Sequence, residues 1–519
     1  MTNREVEAAW RYHDDTKHSV ARLRRAPHHL DWDNVPLPFK VYPRLDPIGL
    51  PRDFRPAQRP ALDSIGALDE GVEASPTLDL ARLAHLLYFT AGVLRRRQHP
   101  GGEVYFRAQA CTGNLHHIDL YLVCDDLADL PAGVYHFGPH DFALRRLRAG
   151  DYRGLAAAAT GGANAVAHAP AVLAYTSTVW RNAWKYQARA YRHCFWDSGT
   201  LLANLLAVAR SMDLPSQVVL GFVDEELNQL LGLDASKEVT LGLVALGADA
   251  GAPPQAPVVA PLALETLPLS RREIDYPAIR AMHIASALTS RAEVTAWRIS
   301  PRPATTPEMS EKGVRLTPSA SCAEAVESVI LRRGSTRRFV QEPIGVEKLS
   351  TIVRSVSGGL PFDCLSRDET ATDLYLLVNA VDGLAAGSYA FDRQHEELAL
   401  LRAGDFRREA GHLDLGQPLA ADAAVNLYWL ADLTALLDRF GNRGYRVAQL
   451  DAAIRGGLTY LAAFAVGIGA TGLTFFDDDV TGFFSPHAAG KSVMFLMAIG
   501  IPERRSRAPT RVVTVSNRR

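Results

Sequence analysis

Hydrophobic positions along the chain follow helical spacing in some segments and strand-like runs in others. Leu80–Leu87 carries leucines three residues apart, which predicts an amphipathic helix. Leu120–Val123 and Gly133–Phe137 are short apolar runs around a Pro-Ala-Gly turn, and each predicts a strand, as does Val239–Val244. Helices alternating with strands, joined in places by glycine-rich turns, predict a layered α+β fold.

The most apolar segments predict long buried helices. Asp197 or Ser198 can cap a helix whose apolar side chains fill nearly every face, and Pro215 ends it. Gly456–Phe476 contains no charged residue over 21 positions, close to the length of a membrane span. Its counterpart earlier in the chain, Ser198–Leu220, is interrupted by charges and a proline, so a buried helix followed by a strand fits both segments better.

Fragments of the sequence recur at a constant distance. Asp119–Leu122 recurs as Asp373–Leu376, and Leu147–Arg153 recurs as Leu401–Arg407, each pair being 254 positions apart. A repeat of this length corresponds to a domain rather than to a solenoid unit. The sequence therefore predicts two fused copies of one domain, an internal pseudo-dimer.

The repeat sets the predicted domain boundaries. Residues 1–78 are rich in Pro, His and Arg without a clean period, and they are predicted to form an irregular extension. Residues 79–249 are the first repeat, and residues 321–519, which include a basic tail, are the second repeat. Residues 250–320 connect the two, and their prolines argue against a regular packed element.

Charge and cysteine content exclude several classes of function. The net charge of −1 gives no attraction to nucleic acid or to a membrane surface. The five cysteines are scattered without a Cys-x-x-Cys pair, so we expect no metal site and no redox pair. The first residues lack the apolar run of a signal peptide, and a reducing cytoplasm is the expected location.

A basic segment carries the sharpest local chemistry. Arg332–Phe339 reads Arg-Arg-Gly-Ser-Thr-Arg-Arg-Phe and follows an apolar helical face that Gly334 can end. In an extended chain Arg333, Ser335 and Arg337 share one face. Two guanidiniums and a hydroxyl suit a phosphomonoester. A solvated basic helix end, favoured by the helix dipole, is the alternative.

The same segment resembles the FMN-phosphate motif of the nitroreductase superfamily, Arg-x-Ser-x-Arg-x-Phe. The first repeat and the residues before it resemble one branch, the azoline (thiazoline/oxazoline) dehydrogenases of the SagB/ThcOx type. The likeness rests on Tyr12–Lys17, on Arg107–Val123 and on the Lys185-Tyr186 pair, which occur in the order of that branch. The resemblance implies two tandem nitroreductase-like domains of the α+β class that bind FMN between them.

The resemblance also implies roles for particular residues. Lys185 and Tyr186 would be the catalytic pair, one of them removing a proton from the substrate ring while the flavin accepts a hydride equivalent. Judged by position alone, Lys185 and Tyr186 could equally be an exposed and a packed helix residue. The implied FMN ligands are, for the phosphate, Arg333, Ser335, Arg337, Arg504 and Arg505, and, around the flavin ring, Arg107, Cys111, Thr112, Gly113, Asn114, Phe475 and Phe476.

The two repeats depart from the family pattern in complementary ways. The first repeat has no Arg-x-Ser-x-Arg segment. The second repeat has Ser366–Glu369 in place of the Gly-Asn loop and Gly441–Gly444 in place of the Lys-Tyr pair. Since a fused pair can lose one site where a symmetric homodimer cannot, we expect one complete site per chain.

The function implied by the resemblance is FMN-dependent oxidation of a thiazoline or oxazoline ring to the azole in peptide natural-product biosynthesis. The substrate would be an azoline-containing peptide or a carrier-bound intermediate, with a cyclodehydratase or synthetase as partner and oxygen as electron acceptor. Two alternatives remain: a general NAD(P)H-dependent nitro or quinone reductase, and a flavin-free peptide-binding scaffold. The ring type, the identity of the base and the oligomeric state are open at this point.

Overall fold

The computed structural model describes residues 2–25, 28–66, 68, 76–99, 102–248, 250–255, 258–300 and 313–503. Two antiparallel sheets, each with helices packed on it, make up the fold, so the predicted α+β class is confirmed. The expected phosphate ligands Arg504 and Arg505 lie outside the described residues. Within those residues no helix combines the length and the apolar character needed to cross a bilayer.

The first sheet is built from the strands that the apolar runs predict. Its described strands lie in the spatial order Pro47–Gly49, Ala143–Ala149, Gly133–Gly138, Ile118–Cys124, Ala171–Thr178, Glu238–Leu246 and Ser216–Val219. The predicted strands at 120–123, 133–137 and 239–244 each lie inside one of these and are confirmed. The central strands Ile118–Cys124 and Glu238–Leu246 are buried along their whole length, as their apolar composition requires.

The second sheet repeats this order. Its described strands are Val314–Arg315, Glu397–Ala403, Gly387–Asp392, Asp373–Val378, Val425–Ala431, Ser492–Pro502 and Phe339–Val340, with Gly469–Gly472 also paired to Ser492–Pro502. Four strands begin 254 positions after their counterparts, at residues 143 and 397, 133 and 387, 171 and 425, and 238 and 492. The sequence repeat is therefore a repeat of topology.

Helices pack on both large sheets, and two short strand pairs lie outside these sheets. The helices of the first repeat are Leu80–Ala91, Arg153–Ala159, Asn164–Ala167, Trp180–Tyr186, Ala190–Ser211 and Asp224–Leu231. Those of the second are Val326–Arg332, Val346–Ser357, Arg407–Leu413, Pro418–Asp422, Leu433–Phe440, Arg443–Ala465 and Asp477–Phe484. The short pairs are Val93–His99 with Gly102–Arg107 and Ile344–Gly345 with Val381–Asp382.

One predicted helix boundary is wrong. The helix expected to start at Asp197 or Ser198 starts at Ala190 and ends at Ser211, so Asp197 lies at the start of its third turn rather than at its cap. The residues before Asp197 are almost all buried, and tertiary packing extends the helix beyond the position where a local cap would begin it. The Asp197 carboxylate is used elsewhere, as described below.

The two long helices, Ala190–Ser211 and Arg443–Ala465, pack against each other at the centre of the molecule. A Cβ on Gly199 would overlap Ala453, and a Cβ on Gly457 would overlap Ala203. Each of these positions meets its own counterpart, because 199 and 453, like 203 and 457, are 254 positions apart. Self-matching contacts of this kind are those of a twofold interface.

The expectation of irregular structure outside the repeats is wrong in several places. Residues 1–78 contain the helices Glu7–Asp15, Val20–Arg25 and Ala61–Gly66, and the segment 250–320 contains Pro277–Ala285 and Arg291–Arg298. Trp297 anchors the last of these and is only 1 % exposed. Ser290 caps this helix by accepting a hydrogen bond from the Glu293 N–H, which is a Ser-x-x-Glu capping signal present in the sequence.

Candidate active site between the two repeats

The loop at residues 111–114 follows the strand Gly102–Arg107 and makes one tight turn at Thr112–Asn114. Gly113 has φ 61°, Asn114 φ 60° and His116 φ 48°, so three residues of this short stretch lie in the left-handed region. Such backbone is sparsely populated by residues other than glycine and is concentrated at functional sites.

The Lys185-Tyr186 pair lies directly against this loop. A Cβ on Gly113 would be 3.0 Å from the Tyr186 hydroxyl and 3.3 Å from Lys185 Cδ, so a larger residue there would be tight as well as strained by the positive φ. Both side chains are half-buried, and Lys185 Nζ is 5.3 Å from the centre of the Tyr186 ring. The structure therefore brings together the predicted loop and the predicted catalytic pair.

The environment of Tyr186 keeps its phenol protonated. Burial, followed by the nearby Asp197 and Cys111, raises the pKa of Tyr186 well above its usual value. His193, whose ring packs 4.3 Å from that of Tyr186, has its pKa lowered well below the usual value by burial and by Arg189. Near neutral pH the loop thus faces a protonated phenol that can donate a hydrogen bond, and this phenol packs on a neutral imidazole.

Arg333 and Ser335 of the second repeat lie together around Tyr460. The helix Val326–Arg332 ends as predicted, but Gly334 is not left-handed, and Arg333 is already extended at φ −59° and ψ 139°. The Arg333 guanidinium lies 5.2 Å from the centre of the Tyr460 ring, and Ser335 Oγ is 3.0 Å from the Tyr460 hydroxyl. Tyr460 in turn accepts a hydrogen bond of 2.7 Å from the Gly472 N–H.

Arg333 connects the two repeats at this point. Its Nη2 donates a hydrogen bond of 2.9 Å to the carbonyl of Ala108, three residues before Cys111. The side chain is buried, its Nε has no hydrogen-bond partner, and burial lowers its pKa. A buried guanidinium with an unpaired N–H would be stabilised by a nearby anion.

Other expected ligands are placed differently. Arg337 is exposed, whereas Arg107 is buried and donates its Nη2 to the Pro38 carbonyl at 2.7 Å. Phe475 and Phe476 are buried, but the Phe476 N–H donates to the Leu413 carbonyl at 2.8 Å. The Phe476 N–H therefore already has a partner within the chain.

The ion pairs of Asp477 are a feature that the sequence did not predict. Asp477 is buried at the start of the helix Asp477–Phe484 and forms ion pairs with Arg189 at 3.1 Å and Arg192 at 2.5 Å across the repeats. Burial opposes the charge of Asp477, but the two guanidiniums outweigh it, so its pKa lies well below the usual value. A buried acid 285 and 288 positions from its partners gives no local sequence signal.

The second repeat does not assemble the same group. Gln187 (φ 51°, ψ −139°) and Gly441 (φ 65°, ψ −160°) end equivalent helices 254 positions apart. The counterparts of Lys185 and Tyr186 are therefore Arg439 and Phe440, not the Gly441–Gly444 segment to which the sequence comparison assigned them. Arg439 forms an ion pair with Glu369, in the segment that replaces the Gly-Asn loop.

Metal chemistry has no support in the part of the chain that the structure covers. No three His, Cys, Asp or Glu side chains among the described residues converge as a metal-binding group. The cysteines of these residues are unpaired thiols, and burial and Asp197 raise the pKa of Cys111 well above its usual value. Cys111 is thus a protonated side chain in the loop.

Comparison with known proteins agrees with this architecture. Residues 102–248 match the nitroreductase family model. A Methanocaldococcus jannaschii protein named as a nitroreductase is 25 % identical over 173 residues, which cover 33 % of this chain and 82 % of that protein. A crystal structure from Anabaena variabilis, also described as a nitroreductase, superposes with a TM-score of 0.75 at 24 % identity, covering 95 % of this chain and 99 % of that one.

These matches show the fold. The chain has a nitroreductase-like α+β fold, and residues 102–248 of the first repeat carry the sequence pattern of the nitroreductase family. The fold likeness to the Anabaena protein extends over nearly the whole chain, beyond the segment that the family model matches.

Proposed function

We propose that the protein is an FMN-dependent oxidoreductase with one active site, shared between two tandem nitroreductase-like domains that form an intramolecular pseudo-dimer. The observation that carries this is the Arg333 contact with Ala108, which joins the basic segment of the second repeat to the loop of the first. The same loop touches Lys185 and Tyr186. Residues 79–249 and 321–519 are the two domains of the proposal.

The residues present fit a flavin phosphate. Arg333 is buried with an unpartnered Nε and no carboxylate among its hydrogen-bond partners, so an anion would compensate its desolvated charge. Ser335 adds a hydroxyl donor, and Arg337, exposed beside them, adds a second guanidinium at the surface. These three residues would hold the phosphate, and Cys111–Asn114 would border the ring.

The proposed reaction is the oxidation of an azoline ring to an azole. FMN, when bound, accepts two electrons from the substrate. The ring also loses a C–H proton, and we assign its removal to Lys185 acting as the free amine, while the raised pKa of Tyr186 suits its phenol to the role of hydrogen-bond donor. Tyr186 then orients the amine or donates a hydrogen bond to the substrate. Oxygen takes up the two electrons and two protons as hydrogen peroxide.

Peptide substrates follow from this proposal. An azoline arises from a cyclised cysteine, serine or threonine in a peptide, so the proposed substrate is an azoline-containing peptide or a carrier-bound intermediate, and the proposed partner is the cyclodehydratase or synthetase that makes it. The half-buried Lys185 and Tyr186 are accessible enough to meet such a ring.

The test is oxidation of synthetic thiazoline and oxazoline peptides in air by the flavin-loaded protein, followed by mass spectrometry. We expect the loss of two hydrogens per ring. Lys185→Ala should slow the reaction by about 10²- to 10⁴-fold while FMN stays bound, because a general base contributes about that much. Lys237→Ala is the matched control, since the Lys237 side chain is 58 % exposed and far along the chain from the loop.

Two results would contradict the proposal. Reduction of nitro compounds or quinones by NAD(P)H at an unchanged rate in Lys185→Ala, without azole formation by the wild type, would identify a general reductase. A colourless protein that binds the peptide but no FMN would identify a scaffold.

A further inference from the structure

The 111–114 loop is held in a backbone conformation that its own residues do not favour. Asn114 and His116 both have positive φ although neither is glycine. Such residues persist only where the surrounding structure fixes them by several contacts. The end of the loop is fixed by Asn114, whose Nδ2 donates to the Tyr105 carbonyl at 2.9 Å and whose Oδ1 lies 3.0 Å from His116 Nε2.

Asp197 fixes the beginning of the loop. Its Oδ1 accepts a hydrogen bond of 2.8 Å from the Thr112 N–H, and its Oδ2 accepts one of 2.7 Å from the Thr112 hydroxyl. The Cys111 thiol donates to the same Oδ2 at 3.0 Å, and His117 Nε2 lies 2.9 Å from it. Cys111 Sγ also accepts from the His116 N–H at 3.0 Å, so the strained residue is linked to the carboxylate through the thiol.

The position of Asp197 suits this role. Its side chain is 4 % exposed and projects from the long helix Ala190–Ser211, which is one of the two central helices of the molecule. A rigid helix holds the carboxylate in place, and three of its contacts fix Cys111 and Thr112 while the fourth is to His117. Lys185 and Tyr186 approach the same loop at Gly113.

The second repeat supplies an internal comparison. Asp451 occupies the equivalent helical position, 254 residues later, but its carboxylate binds Arg455 at 3.1 Å and the Thr372 hydroxyl at 2.5 Å. Arg455 stands where the first repeat has Leu201. Residues 365–370, which the structure describes in full, contain no positive φ. In the second repeat, where the strained loop is absent, the equivalent carboxylate of Asp451 forms an ion pair instead.

We propose that Asp197 is the positioning residue of the active site: it holds the 111–114 loop in its strained conformation against Lys185 and Tyr186. The catalytic consequence rests on the proposed function, whereas the holding of the loop does not. Removal of the Asp197 acceptor oxygens releases Cys111 and Thr112, which belong to the proposed border of the flavin ring.

The test uses Asp197→Asn, which keeps the shape of the side chain but replaces one acceptor oxygen with a donor. Hydrogen exchange of the full chain is followed by mass spectrometry. We expect the amides of residues 111–116 to exchange at least about tenfold faster, and FMN to bind about tenfold more weakly, because hydrogen bonds to a charged group are lost. Thr112→Val keeps the backbone bond to Asp197 but removes the hydroxyl bond to that carboxylate, together with the bond of 2.8 Å that the hydroxyl accepts from Asn182 Nδ2. It should act in the same direction with a smaller effect.

Asp451→Asn is the matched control. It removes an equally buried helical carboxylate, and it should leave exchange at 111–116 and FMN affinity unchanged, although it uncovers the charge of Arg455. Wild-type protection of residues 111–116 in Asp197→Asn would overturn the proposal. If that variant does not fold, unchanged exchange in Thr112→Val would overturn it instead. Because exchange is measured without substrate, a failure of azoline oxidation would not be mistaken for a failure of this inference.

Discussion

Arg333 is a buried side chain that links the two repeats through one guanidinium nitrogen and leaves another nitrogen without a partner among the described residues. Its Nη2 is occupied by the Ala108 carbonyl, while its Nε has no partner. Desolvation of a guanidinium is costly, and the lowered pKa of Arg333 reflects that cost. Tyr460 offsets part of it through its ring face, but an anion would offset more.

Arg333→Lys is therefore expected to weaken FMN binding by about tenfold, since a lysine has no fork with which to reach Ala108 and a phosphate together. Quenching of FMN fluorescence on titration with apoprotein measures the dissociation constant. Arg338→Lys is the control, because the Arg338 side chain is 69 % exposed and pairs with Glu503 at the surface. Equal affinities of the wild type and Arg333→Lys would show that the phosphate lies elsewhere.

Among the helices, the crossing of Ala190–Ser211 with Arg443–Ala465 decides how the repeats fit together. Gly199 and Ala453 meet at one point, and Ala203 and Gly457 at the next. Two backbones can approach this closely only where one partner lacks a Cβ. The contacts recur with the 254-residue spacing of the sequence, so the crossing has the internal symmetry of a dimer interface within one chain.

Gly199→Ala is expected to lower the free energy of unfolding by about 1–3 kcal/mol, because the added methyl overlaps Ala453 in a packed interface. Gly482→Ala is the matched control in another helix, where a Cβ meets no atom within 4 Å. That change should raise the stability by up to about 1 kcal/mol through helix propensity. Thermal unfolding measures both, and an equal stabilisation by the two changes would contradict the packing argument.

The sequence predicted elements well where a local pattern existed and failed where distant contacts decide. The strands at 120–123 and 133–137 follow from short apolar runs and are confirmed. The helix at Ala190 begins seven residues before its predicted cap, because burial on all sides stabilises a turn that has no local signal. The helix Arg291–Arg298 had a signal, the Ser290 cap, which the proline-rich surroundings obscured.

The residues of the candidate site divide in the same way, into those that a local motif reveals and those that only distant contacts reveal. Arg333 and Lys185 could be found from motifs, since each lies in a short pattern shared with a known family. Asp197 and Tyr460 could not, because the contacts that place them in the site join distant positions: Asp197 lies 85 residues from Thr112 and Tyr460 lies 125 residues from Ser335. The partner of the Phe476 N–H, Leu413, is likewise distant in sequence and could not be predicted.

Across the whole molecule, the amino-terminal segment binds the two repeats to each other. The Asn3 side chain donates to the Phe440 carbonyl at 2.9 Å, and the His18 N–H donates to Asp477 at 2.8 Å. Arg192 of the first repeat contacts both Thr16 and Asp477. The residues that precede the repeats thus fix the relative position of the two halves around the candidate site.

The two repeats differ in what they offer a cofactor, and this determines how many flavins a chain can hold. The counterpart region of the second repeat borders a cavity of about 1160 Å³, so it does not lack space. Three of its basic side chains, however, already have carboxylate partners: Arg439 pairs with Glu369, Lys491 with Asp373 and Arg354 with Glu396. Arg393, which also lines the cavity, donates to backbone carbonyls. An anion placed there would have to compete with these carboxylates.

We therefore expect one FMN per chain. The number of bound flavins is the ratio of flavin absorbance to protein concentration after saturation with FMN and removal of the excess. At FMN concentrations below saturation, Arg333→Lys should give a lower ratio than the wild type. Glu369→Gln serves as the complementary variant, because it releases Arg439 from its ion pair without changing the first repeat. A wild-type ratio of two would show that the second repeat binds a flavin by contacts other than a buried, unpaired guanidinium, and the division of roles between the repeats would then be wrong.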